Sequence, residues 1–313
     1  MIRPTLGFIG TGTLGSALAR CLSTAGYRVT AVYNRSPEKA IRLASILGGD
    51  ILAESPQAVA DACELAFLTV PDDAIEPLCD SLVWRAAQTA ESHGDSAPRA
   101  HARAVVHASG AASVDILSHA ADAGAAVGVF HPLQTLACPE QAARNLAGSA
   151  FGIEASTDNL GETLDGMARA LDGTPLRITG EKAIYHASAV MASNYVVTLL
   201  SLAAGLWRHL GLASDEGLHA LLPLVQGTLN NLENVGLPDA LTGPIARGDA
   251  GTVSRHLDVL HRIAPKLLPV YKELARHAIP IAQAKGSLDT AGARRLSEQL
   301  LAHGDETDAN DNG

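Results

Sequence analysis

Over the first 180 residues, short aliphatic runs alternate with amphipathic stretches. The runs are brief, apolar and bounded by turn residues, as buried strands are, while the stretches between them carry the wider spacing of helices. The pattern predicts strands at residues 6–9, 28–33, 65–70, 104–108, 126–130, 151–154 and 176–178, with helical segments between most of them. Strand and helix in alternation define an α/β architecture, a doubly wound parallel sheet covered by helices on both faces. After residue 181 the strand signals stop. Long helical patterns run on to about residue 302, broken by Gly and Pro at Gly211, Gly236, Pro238, Gly243, Pro244 and Gly286, so a second, all-helical domain is expected. The expected organisation is residues 1–180 for the sheet domain, 181–302 for a helical substrate and dimerisation domain, and 303–313 for an acidic, polar tail expected to be disordered. Residues 85–103 have little periodicity and read as a surface insertion.

Composition narrows the function. A chain of 313 residues exceeds the roughly 100–200 residues of one domain, which agrees with two cores. A formal charge of −10 argues against a nucleic-acid surface, which needs clustered Lys and Arg to displace counterions; a small-molecule ligand is expected instead. Cys21, Cys63, Cys79 and Cys138 are widely spaced with no C-x-x-C pair, so neither a metal site nor a disulfide framework is expected, and reduced thiols suit a cytoplasmic chain. With a strand-like run so near the N-terminus, no export signal is expected. Residues 187–206 have the roughly 20-residue length of a membrane span. Ser188, Ser193, Asn194, Thr198 and Ser201 within them, and no adjacent basic cluster, favour a buried core helix or a dimer-forming helix instead.

One motif carries chemistry by its context. Gly10-Thr11-Gly12-Thr13-Leu14-Gly15 follows the first strand and opens a helix, the setting in which G-x-G-x-x-G is a Rossmann dinucleotide fingerprint. The first glycine permits the tight turn, the second lets backbone approach a pyrophosphate, and the third lets the helix pack closely on its strand. At the end of the second strand stand Asn34, Arg35 and Ser36, with no carboxylate to accept from a ribose 2′-hydroxyl. A guanidinium and a hydroxyl suit a 2′-phosphate, so the expected cofactor is NADP(H); the alternative is that Ser36-Pro37-Glu38 is only a helix start. Val70-Pro71 and Ser109-Gly110 end the next two strands, where ligands bind in open parallel sheets.

A polar stripe marks a second candidate region. Residues 181–208 read as one helix on which Lys182, His186 and Ser193 fall within roughly 40° of one another at 100° per residue, with Asn194 about 80° from His186. Such groups border something polar, because each one buried unpaired costs about 1–3 kcal/mol. His186 or Lys182 is the expected proton donor beside a nicotinamide, with Asn194 and Ser109 as catalytic companions. His131 and Gln134, at the end of the fifth strand, are candidate substrate contacts; Pro132 equally explains that segment as a strand terminator.

Taken together, the fingerprint, Asn34-Arg35-Ser36, Ser109-Gly110, His131-Pro132-Leu133-Gln134, Tyr185-His186 followed by Asn194-Tyr195, and Leu241-Thr242-Gly243-Pro244 with Arg247-Gly248-Asp249 resemble a group of Rossmann-like NADP oxidoreductases with a helical C-terminal domain. That group is related to ketopantoate reductases, pyrroline-5-carboxylate reductases and the 6-phosphogluconate dehydrogenase-like superfamily. The resemblance implies hydride transfer from NADPH to a small 2-oxo acid, with imine reduction of the pyrroline type and a non-catalytic NADP(H) sensor as alternatives. It sets His186 where ketopantoate reductases carry a catalytic Lys, and Asn194 at their substrate-contacting Asn. It also sets Thr242 and Arg247 in a loop that lies near the active site of pyrroline-5-carboxylate reductase relatives, where Arg247 can clamp a carboxylate; Asp249 alternatively serves as a helix cap. A homodimer is expected from the long apolar helices.

Overall fold

The structure is a computed structural model that describes residues 3–84, 104–137 and 139–302. The insertion at 85–103, Cys138 and the tail at 303–313 lie outside the described residues. In chain order the elements are β1 (Leu6–Ile9), α1 (Thr13–Thr24), β2 (Val29–Tyr33), α2 (Pro37–Leu47), α3 (Pro56–Ala62), β3 (Leu65–Leu68), α4 (Asp72–Ser81), β4 (Ala104–His107), α5 (Ser118–Asp122), β5 (Ala126–Pro132), α6 (Pro139–Asn145), β6 (Ala150–Ala155), α7 (Asp158–Ala170), β7 (Thr174–Arg177), α8 (Lys182–Ala192), α9 (Asn194–Leu206), α10 (Ser214–Val235), α11 (Ala250–Ile263), α12 (Leu268–Ala284) and α13 (Thr290–Ala302).

Every strand expected from the sequence is present. Among the described residues they form one sheet in the order β2-β1-β3-β4-β5-β6-β7. The strand order reverses between β1 and β3, and the crevice at such a switch point is where doubly wound sheets bind ligands. One expectation needs correction: the sheet is not wholly parallel. β5 and β6 pair antiparallel, with His131 opposite Gly152 and Val129 opposite Glu154, and β7 then runs parallel to β6. Apolar patterning cannot report direction, because an antiparallel strand buried on both faces reads like a parallel one.

Two apolar layers sandwich the sheet. Leu6 and Phe8 of β1 face the layer built with α1, α2 and α7, while Ile9 faces the one built with α3, α4 and α5, the period-2 alternation of a strand buried on both sides. All four phenylalanines lie in the first layer as a row across the sheet. Phe8 stacks on Phe67 at 4.8 Å, Phe67 meets Phe130 edge-on at 6.0 Å, and Phe130 stacks on Phe151 at 4.8 Å, geometries worth about 0.5–1.5 kcal/mol per pair beyond area burial.

The chain divides into two compact units, Met1–Ser193 and Asn194–Gly313. α8 therefore packs with the sheet, whereas loss of the strand signal suggested a boundary near residue 180. The expected single helix over 181–208 is interrupted at Ser193, whose backbone leaves helical geometry (φ −121°, ψ −71°). The stripe arithmetic therefore holds only within α8 and does not extend to Asn194, which opens α9 in the second unit.

In the second unit α11, α12 and α13 enclose a core of Val253, Leu257, Leu260, Ala282, Leu296 and Leu300. α9 and α10 pair with each other, and most of their residues are exposed within this single chain. The reading of residues 187–206 as core is therefore corrected: the run Lys182–Leu210 is long and apolar enough to cross a membrane by length and composition, and its residues are mostly exposed in the chain. A helix's period reveals an apolar face but not what covers it.

Candidate functional site: a dinucleotide cradle and an imidazole cluster

The three fingerprint glycines meet three different surroundings. Gly10 has φ +100°, which L side chains rarely adopt, and a Cβ there would lie 2.5 Å from the Thr69 carbonyl oxygen. A Cβ on Gly15 would collide with the Gly10 carbonyl oxygen and the Thr69 hydroxyl. Around Gly12, by contrast, a Cβ would meet nothing within 4 Å, although its backbone angles (φ −69°, ψ −166°) suit any residue. Two of the glycines are thus required by the protein itself. The third faces open space, and only a ligand gives it a reason to lack a side chain.

The loop is held from both flanks. Thr69 Oγ1 donates to the Gly10 carbonyl at 2.5 Å, and the Thr11 amide donates to Asn34 Oδ1 at 3.1 Å. Asn34 Nδ2 in turn donates to the Ser36 carbonyl at 3.0 Å, so Asn34 fixes the loop and the end of β2 together. α1 starts at Thr13 and Leu14 with no side-chain cap on its amides and no acidic residue in its first turn. Free amides at the positive end of a helix dipole are a ready anion site. Arg35 and Ser36 are exposed at the end of β2. Ser36 occupies the N-cap of α2, yet its hydroxyl makes no capping bond and stays available to a phosphate oxygen. The open cradle at Gly12, the bare amides and the Arg35–Ser36 pair fit a dinucleotide with a 2′-phosphate, which Gly10, Thr11, Gly12, Thr13, Leu14, Gly15, Asn34, Arg35 and Ser36 would hold. Val70 and Pro71 follow Thr69 beside this loop, Pro71 serving as the N-cap of α4.

At the ends of β4 and β5 the structure gathers a second group. A Cβ on Gly110 would lie 2.8 Å from His131 Cε1 and Nε2 and 2.8 Å from His186 Cδ2, so both imidazoles close on one glycine Cα. His131 Nδ1 lies 2.9 Å from the Tyr185 hydroxyl, the rings edge-on at 5.7 Å. Gly152 makes room for that phenol, since a Cβ there would sit 2.8 Å from the Tyr185 oxygen. Burial, then the neighbouring Lys182 and His186, lowers His131 to about 4, so its ring is neutral at neutral pH. Burial raises the Tyr185 phenol; a phenol that keeps its proton can donate it to Nδ1, which leaves the imidazole hydrogen on Nε2, the atom facing Gly110.

Beneath this pair lies a buried polar frame. His107 accepts from the Ser109 amide at Nδ1 (3.2 Å) and lies 3.2 Å from the Ser113 carbonyl at Nε2; burial, then Lys182, holds it at about 4. Ser109 Oγ donates to Asp72 Oδ2 at 2.7 Å and accepts from the amides of Ala111 and Ala112, so its hydroxyl builds the turn. The Lys182 ammonium, 6% exposed, donates to the Ala112 carbonyl at 2.7 Å and lies 3.6 Å from Glu154 Oε1. Burial lowers its pKa while Glu154 opposes that shift.

Other expected residues take different places. Gln134 Nε2 donates to the Asn145 carbonyl and Ser149 Oγ, and its oxygen accepts from the Thr135 amide; its amide ties down the segment after β5. Asn194, Thr242 and Arg247 are exposed residues of the second unit, and Asp249 caps α11 by accepting from the Thr252 amide at 2.9 Å. Sequence reasoning passed over Tyr185, Glu154, Thr69 and Asp72 as site residues. For Tyr185 a signal existed: it stands three residues after Lys182, on the same helical face.

A doubly wound sheet with a glycine cradle at its switch point defines a dinucleotide-binding protein, and comparison with known proteins gives the particular kind. Residues 5–92 match the family described as NADP oxidoreductase, coenzyme F420-dependent, and residues 149–278 match a domain of unknown function, DUF2520. The chain thus carries an NADP oxidoreductase domain followed by a DUF2520 domain. No curated protein matches the sequence significantly. Among solved structures it resembles protein TM1727 from Thermotoga maritima (26% identity, 90% of this chain and 99% of that one, TM-score 0.68). It also resembles BF3122 from Bacteroides fragilis, a candidate NADP oxidoreductase (24%, 89% and 98%, TM-score 0.65). A third is the 1-pyrroline-5-carboxylate reductase of Streptococcus pyogenes (16%, 90% and 99%, TM-score 0.60); at that identity the likeness is one of fold.

Two outcomes test the cradle. Gly12→Ala, measured by thermal unfolding and calorimetry, is expected to fold at least as stably as the parent, within about 1 kcal/mol, while losing most NADPH affinity; undiminished binding would refute the cradle. Arg35→Ala is expected to weaken NADPH about tenfold to a hundredfold, the scale of a lost charge-assisted hydrogen bond, and to leave NADH within about threefold. Equal losses for both cofactors would refute the 2′-phosphate assignment.

Proposed function

We propose that this protein is an NADPH-dependent reductase of a small 2-oxo acid. The observation that carries the reading is the convergence of His131 and His186 on the Gly110 Cα, in the same unit as a dinucleotide cradle whose Gly12 faces open space. NADPH, when bound, supplies the hydride to the carbonyl carbon. The chain supplies the proton that the substrate oxygen needs as its π bond breaks, completing the alcohol. His186 and the Nε2–H of His131 are the donors, and Tyr185 behind His131 fixes which ring nitrogen bears hydrogen. The proton that each ring passes to the nascent alkoxide is replaced from solvent, so that neither ring ends as an imidazolate.

A second reading is imine reduction, in which the same groups protonate nitrogen; the fold shared with a pyrroline-5-carboxylate reductase favours it. We also place the protein in the cytoplasm as a homodimer. Supporting the dimer, α9 and α10 expose Val197, Leu199, Leu224, Leu229 and Leu232, beside an apolar groove of about 610 Å³ lined by Leu202, Trp207, Leu260, Val270 and Leu274. Contiguous apolar surface of that kind marks an interface, and a twofold axis covers it with a copy of itself.

NADPH oxidation, followed with purified protein against panels of 2-oxo acids and cyclic imines, separates these readings, and no turnover with either panel leaves the non-catalytic sensor. On the substrate so found, His186→Ala and His131→Ala are each expected to lower kcat about a hundredfold to ten-thousandfold; full turnover in both would end the proton-donor assignment. Sedimentation at micromolar concentration is expected to give twice the 32.3 kDa of one chain, and Leu224→Glu to return it toward the monomer. A monomer throughout would remove the dimer.

A further inference from the structure

Lys182 is the one lysine among the buried polar and charged residues, and it sits where three elements meet. Its ammonium reaches the Ala112 carbonyl in the turn after β4 at 2.7 Å and lies 3.6 Å from Glu154 on β6, while its own backbone starts α8. Glu154 completes the circuit, because its other oxygen accepts from the Val114 amide at 3.3 Å. The turn from Ser109 to Val114 is thus gripped from one side by Lys182 and Glu154, and from within by the Ser109 hydroxyl and Asp72. Gly110 lies in that turn. It has no side chain through which to hold its place, yet both imidazoles pack on it. Whatever fixes the turn therefore fixes how closely His131 and His186 approach each other.

The Lys182 ammonium is buried, and of its three hydrogens it directs one to the Ala112 carbonyl and another toward the Glu154 carboxylate. We propose that Lys182 is a positioning residue, an ammonium clamp that joins the turn after β4 to β6 and thereby holds Gly110 against the His131 and His186 imidazoles. Its charge has a second effect. Among the described residues, Lys182, Tyr185 and His186 from α8, Asp72 from α4 and His107 from β4 are the ionisable groups that interact with His131. Lys182 is the ammonium of that set, and while protonated it resists a second positive charge beside it. The clamp therefore helps keep His131 neutral, with a hydrogen on Nε2.

This inference rests on the proposed proton-donor role of the imidazoles, but its test needs neither substrate nor cofactor. In full-length Lys182→Met, an uncharged side chain of similar length, imidazole NMR is expected to show the His131 midpoint rising from about 4 toward its ordinary 6.5. Hydrogen exchange is expected to quicken at Ala111, Ala112 and Val114 and to stay unchanged in β1 and β3. A folded variant in which neither the midpoint nor these amides move overturns the clamp. Should Lys182→Met fail to fold, Glu154→Ala provides the second reading: the Val114 amide loses its acceptor, and faster exchange confined to 109–114 is expected, whereas unchanged exchange there overturns the proposal. A parent protein that binds no NADPH would sink the reductase reading without altering either result. On an identified substrate, Lys182→Met is expected to shift the pH profile of kcat in step with the His131 midpoint; loss of turnover at every pH, with exchange and midpoint unmoved, would make Lys182 the donor and not the clamp.

Discussion

At the ends of β1 and β3 the Thr69 hydroxyl donates to the Gly10 carbonyl at 2.5 Å, with the Gly15 Cα seated against both. Backbone meets backbone here with no room for an intervening methyl group, and that closeness lets α1 begin directly off β1. Because α1 begins there, its first amides have no intrahelical partner; because Gly12 projects nothing, those amides are reachable. The anion site is thus a by-product of a packing contact. The same contact draws the end of β3 to the loop, so that Val70 and Pro71 stand beside it.

The imidazole cluster obeys a different constraint, the cost of charge in a buried place. His107 and His131 are both pushed down to about 4 by burial first and by Lys182 second. Taking an ion out of water costs several kcal/mol unless it is paired, and the buried ammonium of Lys182 is tied to Glu154 and a carbonyl. Around it His107, His131, Tyr185 and Ser109 are donors and acceptors with fixed partners. Such an arrangement suits proton delivery to an oxygen or nitrogen whose charge grows only as hydride arrives, since oriented dipoles need little reorganisation at that moment.

Features that depend on neighbours in the chain were legible, and those that depend on partners far along it were not. The strands and the glycine motif are local signals, which is why the tight turn at Gly10 and the close packing at Gly15 stand where the motif sets them. Arg35 and Ser36 are readable for the same reason, as residues that follow directly on β2. The reversal of β6 left no trace, because alternation and burial look alike in both directions. The break at Ser193 was missed because neither Gly nor Pro marks it, and helical spacing continues through Asn194. Lys182 was noticed as polar on an apolar helix, but its partners, Ala112 and Glu154, come from elements that only tertiary packing brings near. The exposed face of α9 was read as core for a related reason: an apolar stripe shows that something covers a helix without showing what.

The antiparallel pairing of β5 with β6 has one more consequence. Gly152 and Glu154 are two residues apart on β6, so they share a face, and from that face one accommodates Tyr185 and the other holds Lys182. Sliding β6 by a single position against β5 would turn both toward the opposite layer. The phenol would lose its berth and the ammonium its counter-ion, while β1 to β4 kept every pairing they have. Alignment at one edge of the sheet therefore decides whether a well-folded chain has an assembled centre, and a misaligned copy could still embrace its dinucleotide yet have nothing poised to use it.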